Sequence, residues 1–108
     1  MTFIRMARWK CRMGRDPEAL RLWEERVLDV WRAQPGLLHV HLLARDGSDE
    51  RMTLSVWESE AACAAFVQSA ALHEIASAYE QVYTADGRPM SSGWTVLTDD
   101  WPVTAPVR

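Results

Sequence analysis

The chain has 108 residues, 48% of them apolar and 25% charged, with a formal net charge of −3. That length suits one domain and is too short for two, and the composition is that of an ordinary globular protein. No basic stripe suggests nucleic acid, and no apolar run approaches a membrane span.

The opening residues Met1-Thr-Phe-Ile-Arg-Met-Ala-Arg8 carry charge early and have no apolar h-region, so no secretory signal is expected. Residues 2–12 alternate loosely through Phe3, Ile4, Met6 and Trp9 and read as a first strand ending near Gly14. Arg5, Arg8, Arg12 and Arg15 are spread along it and read as a solvated edge rather than a phosphate surface. Asp16-Pro17-Glu18 predicts a helix start, with Asp16 as the cap. Leu20, Trp23, Val27, Val30 and Trp31 then make one apolar stripe, and Gln34-Pro35-Gly36 stops the helix.

Leu37 to Ala44 predicts a strand with Leu38, Val40 and Leu42 as its buried face. Asp46-Gly47 turns the chain into a returning strand over 51–57. Ser59 can cap a second helix, predicted to run unbroken from about 59 to 79. Its stripe of Phe66, Leu72 and Tyr79 faces the sheet, with His73 at the border. Residues 80–92 look irregular, with Asp86-Gly87 and Pro89 as breakers. A last strand is expected from about Gly93 to Trp101, and an extended tail over 102–108.

The order βαββαβ predicts an α+β, ferredoxin-like fold: a four-stranded antiparallel sheet with two helices on one face. Residues 1–101 form that domain. The uncovered face would carry Ile4, Met6 and their neighbours, a patch too apolar for a small monomer. Pairing of two sheets in a homodimer would bury it. Cys11 and Cys63 have no C-x-x-C spacing and read as buried, reduced thiols, in keeping with a cytoplasmic location.

His39 and His41 are spaced by two in a strand and therefore share a face. They are open to three readings: half of a metal site with no evident third ligand, bases in a pocket, or occupants of the wetter face. His73 is either a helix-surface residue or part of a pocket rim. The six tryptophans are Trp9, Trp23, Trp31, Trp57, Trp94 and Trp101. Several should be core, though some could wall a pocket for a flat ligand. Phosphate-loop, dinucleotide-fold, G-x-S-x-G and zincin motifs are absent, so flavin and nicotinamide have no local support.

Ala7-Arg-Trp-Lys10 with Gly14, Gln34-Pro-Gly-Leu-Leu38, Val56-Trp-Glu-Ser-Glu60 and Phe66-Val-Gln-Ser69 leading to His73 resemble the antibiotic biosynthesis monooxygenase family. The family lies within the dimeric α+β-barrel superfamily. The resemblance implies a homodimer whose sheets pair into a barrel, and a pocket between helices and sheet. It also implies a cofactor-independent oxidation of an aromatic, polyketide-like phenol or anthrone by O2 to a quinone. In that scheme His39, His41 or His73 would be the base. Trp9, Trp57 and Phe66 would hold the ring, and Arg5 or Arg8 would stabilise the oxyanion. O2 would be the co-substrate, with no metal or other cofactor expected.

The haem-degrading branch is disfavoured. It has a tryptophan where Phe66 stands, a histidine where Ala76 stands and an asparagine near Ala7. The remaining alternatives are a non-catalytic ligand-binding or accessory dimer, and an isomerase or cyclase on the same scaffold.

Overall fold

The computed structural model describes residues 1–84 and 90–98, without the side chain of Met90. The expected breakers at 86–89, Trp101 and the tail 102–108 lie outside the described residues. The elements are β1 (Phe3–Lys10), α1 (Asp16–Leu22), a π-helical segment (Trp23–Val27), α2 (Leu28–Arg32), β2 (Leu37–Ala44), β3 (Glu50–Trp57), α3 (Glu60–Val67), α4 (Ala70–Tyr79) and β4 (Met90–Thr95). The strands form one sheet in the order β2-β3-β1-β4, and each pairing is antiparallel. This is the ferredoxin-like α+β arrangement expected from the sequence.

One sheet face is roofed by the helices. Ala7, Thr53, Ser55 and Trp57 are buried there, against Trp23, Val27, Trp31, Phe66, Ile75 and Tyr79. Ala19, Trp23, Val27 and Trp31 recur at a strict spacing of four and are all buried. An α-helix turns about 40° too far at each such step. The wider π-helical turn takes up that drift and keeps the four residues on one line. Leu20, placed on the stripe by its spacing, is instead 52% exposed, with Ala19 inside in its place.

Asp16 is the first helical residue rather than the cap, and its carboxylate accepts from Arg51 of β3 at 2.6 Å, tying helix to sheet. Ser59 caps α3 as expected, its Oγ accepting from the Ala62 N–H at 3.1 Å. The expected single helix over 59–79 is broken at Gln68 and Ser69. There the Ser69 hydroxyl donates back to the Phe66 carbonyl at 2.6 Å, competing with the helical ladder.

β4 begins earlier than Gly93 and ends at Thr95 rather than Trp101. Its register explains the end: Thr95 pairs with Phe3, and the last contact is the Val96 N–H donating to Thr2. β1 itself begins at Phe3, so the ladder between the two strands runs out there. Residues 80–84 are held along the other end of β1, where Cys11 bridges Tyr83 and the Thr84 N–H donates to the Lys10 carbonyl.

β2 carries a bulge between Leu37 and His39. Leu37 pairs with Trp57 and faces the helices, but one extra residue follows, so His39 pairs with Val56 on the opposite face. Val40 and Leu42 then return to the helix side, while Leu38 is left 50% exposed. The expected buried face of Leu38, Val40 and Leu42 is therefore interrupted at its first member.

The helix-to-β2 turn rests on Gly36. Its φ is +81°, and a Cβ there would lie 2.7 Å from the Ala62 Cβ and 3.1 Å from the Glu58 Cγ. Gly36→Ala combines left-handed strain of about 1–2 kcal/mol with overpacking of about 1 kcal/mol or more. A loss of about 2–3 kcal/mol is expected in urea unfolding, read as a lower midpoint at unchanged slope.

Candidate active site

The helix roof is incomplete where α3 crosses β1 and β4. A cleft of about 240 Å³ opens there, with Phe3, Arg5, Cys63, Val67, Gln68 and Gly93 among its walls. Gly93 forms part of the floor, because a Cβ on it would meet the Phe3 ring at 2.5 Å. A side chain at that position would push the ring into the cleft.

Arg5 projects from β1 on the helix side, in register with Gly93 of β4 and Ser55 of β3. Its guanidinium is half-buried and makes no side-chain hydrogen bond or ion pair among the described residues. Burial lowers its pKa, and the neighbouring Cys63 works the other way. Arginine nevertheless keeps its charge at neutral pH. The cleft therefore holds a fixed, partly desolvated cation with unused donors. Glu60, exposed at the first turn of α3, lines the same cleft.

Neither thiol is poised as a nucleophile. Burial pushes Cys63 up, with Arg5 opposing and Glu60 adding to the rise. Cys11 is pushed up to about 11 by burial, then by its hydrogen bond to Asp16 and that residue's charge. Both cysteines are free and buried. Burial also raises the phenols of Tyr79 and Tyr83, the latter to about 12, so neither is a base near neutrality.

The residues singled out in the sequence divide among five places. Arg5 lines the cleft. Trp57 and Phe66 lie in the core beside Trp31, with ring centroids 5.2 Å apart, and the Trp57 Nε1 donates to the Ser55 Oγ at 2.9 Å. Trp9 packs edge-on against Tyr79 at 5.1 Å, and its Nε1 and the Tyr79 hydroxyl are buried without partners among the described residues.

His39, His41 and Arg8 stand on the opposite sheet face, and Arg8 approaches Glu50 at 3.8 Å. His73 is exposed on α4. The three histidines and Arg8 thus do not join Arg5 in one site. Glu60, Cys63, Gln68 and Gly93 are not read as site residues from the sequence. Glu60 reads there only as a helix-start acid, and Gly93 only as a strand beginning.

A ferredoxin-like sheet roofed by helices, with a cleft between the layers, is an α+β scaffold on which many functions are built. Residues 2–78 match the antibiotic biosynthesis monooxygenase family, and the chain belongs to it. Solved structures agree on the fold. SnoaB, a cofactor-independent oxygenase from Streptomyces nogalater, superposes with a TM-score of 0.73 at 18% identity, covering 94% of this chain and 97% of that one.

A putative antibiotic biosynthesis monooxygenase from Bordetella bronchiseptica gives 0.76 at 14% identity, covering 90% and 98%. The heme-degrading protein Rv3592 from Mycobacterium tuberculosis gives 0.62 at 18%, covering 92% and 98%. No curated protein matches the chain by sequence. Among the described residues no helix is long and apolar enough to cross a membrane.

The residues that the haem-degrading branch would place at these positions are not present in this chain. Ala7 and Phe66 are buried core groups, Ala76 offers no ligand atom, and His73 is exposed on α4.

Proposed function

We propose that the protein is an O2-using monooxygenase of small aromatic substrates, with phenols or anthrones oxidised to quinones and no flavin or metal required. The observation that carries this reading is Arg5, a half-buried cation with unused donors in a largely apolar cleft. An ionised anthrone is a flat, delocalised enolate. The apolar walls take its rings, and the Arg5 guanidinium faces the oxygen on which charge develops.

Glu60 is assigned as the base that removes the proton, because it lines the cleft and the histidines do not. The carbanion passes one electron to O2, the radical pair combines to a hydroperoxide, and loss of water leaves the quinone carbonyl. One O2 is consumed, one oxygen atom enters the product and the other leaves as water. The chain's own part is to hold the ring, orient it and stabilise the enolate.

The test is O2 uptake with a simple anthrone, purified protein, chelator and no added cofactor. Anthraquinone formed above the spontaneous rate supports the reading. Absence of uptake across a panel of phenols and anthrones, with tight binding of the same compounds, would replace it with a ligand-binding role.

The uncovered sheet face supports a homodimer. Ile4, Met6, Met52, Leu54 and Val56 lie on it with no helix above them among the described residues, and Trp94 at its edge is 59% exposed. A second copy stacked sheet against sheet would remove that apolar surface from water. Leu54 is central, between Met6 and His41 in the register. Leu54→Glu should convert a dimer to a monomer in sedimentation at micromolar concentration with the secondary structure retained. A dimer that persists in this variant would place the contact elsewhere.

A further inference from the structure

We propose that His39 and His41 form a two-imidazole binding site for a first-row divalent cation, with Cu2+ preferred over Ni2+ and Zn2+. The bulge in β2 is the device that creates it. Without the extra residue His39 would fall opposite Ser55, on the buried helix side; with it, His39 pairs with Val56 and His41 with Leu54 on the open face. Bulges are a recurrent way of re-aiming side chains. This one brings both imidazoles out together while Val40 and Leu42 stay inside.

The two rings are nearly parallel, with an interplanar angle of 12° and centroids 6.4 Å apart. Both residues are exposed, and neither makes a side-chain hydrogen bond or ion pair among the described residues. Their ring nitrogens are thus uncommitted. Bonds of about 2.0–2.1 Å to one ion require the two donor nitrogens about 3 Å apart. From centroids 6.4 Å apart, chelation therefore needs the two exposed rings to tilt toward each other.

Val56 and Leu54 lie beside them on the sheet and offer no competing donors. Neutral imidazole suits copper, nickel and zinc, and the affinity order follows the usual series for divalent ions. No group of three or more His, Cys, Asp or Glu forms a cluster among the described residues. The other coordination positions therefore belong to water or an added ligand.

β2 is the outermost strand of the sheet, so the pair stands at the rim of the face assigned above to dimerisation. The opposite face carries the Arg5 cleft, so metal binding and the oxygenase reading stand or fall separately.

The experiment is calorimetric titration of the full chain with NiCl2 near neutral pH, with the spectrum of the Cu2+ adduct read by paramagnetic resonance. Saturable binding and a two-nitrogen copper signature are expected. His39→Ala or His41→Ala should each weaken binding by about tenfold or more, since one imidazole loses the chelate. His73→Ala should leave it unchanged. Both β2 histidines are exposed, and circular dichroism checks that the variants fold. One ion per two chains, lost in the same variants, would mean that two pairs share it across the dimer contact. Binding that survives removal of either β2 histidine, or that falls with His73→Ala, overturns the proposal.

Discussion

Trp57→Ala is expected to remove about 3–5 kcal/mol of stability, the range for deleting a large buried aromatic. For a domain holding about 5–15 kcal/mol in all, that leaves a protein partly or wholly unfolded at room temperature. The reason is placement. Trp57 is 0% exposed and ends β3 beneath α2 and α3. Its ring centroid lies 5.2 Å from that of Phe66 and 6.4 Å from that of Trp31, so it joins α3 to α2 through one aromatic cluster.

The Trp57 Nε1 also donates to the Ser55 Oγ, whose own hydroxyl reaches the Arg5 carbonyl at 3.4 Å. Removal of the indole thus loosens the strand that carries the cleft's cation. Trp57→Phe keeps most of the ring and gives up the hydrogen bond, so its cost should be clearly smaller. Urea unfolding of the two variants checks this. A loss under about 1 kcal/mol for Trp57→Ala would mean that the neighbouring rings collapse into the space and that the cluster is not the keystone described.

Local rules carried the fold. Alternation on β1 and β3, the Ser59 cap and the Gly36 stop all act within a few residues, and each appears where the spacing puts it. Errors arose where a distant partner decides. The end of β4 depends on where β1 begins, which no local pattern in residues 90–101 records. The bulge at Leu38 is invisible to a period-two count, because the apolar run on either side of it is continuous. Asp16 has the character of a cap, but Arg51 from another element claims its carboxylate.

The site was less legible for the same reason. The unusual residues, histidines and tryptophans, stand elsewhere, whereas the cleft is made by common ones brought together by tertiary crossing. Arg5 was identifiable as a charged residue inside an alternating strand; its pairing with a gap beside α3 was not.

Arg5→Met should lower kcat/KM for anthrone oxidation by about 10²–10³-fold, the usual effect of losing one donor to a developing oxyanion, worth about 2.7–4 kcal/mol. Methionine keeps an apolar stem of the same width but stops short of the guanidinium, so the wall next to the sheet is retained and only the charged end is lost. Stability should hold or rise slightly, because a half-buried guanidinium without a partner among the described residues is replaced by an apolar group. This opposite movement of rate and stability separates a functional cation from a structural one.

Arg5→Lys retains charge but not the planar fork, so it should recover part of the rate without restoring the wild-type value. If Arg5→Met folds normally and keeps full turnover, the enolate is stabilised by some other group. Gln68 then becomes the next residue to replace, because its side-chain amide is a donor on the wall of the same cleft.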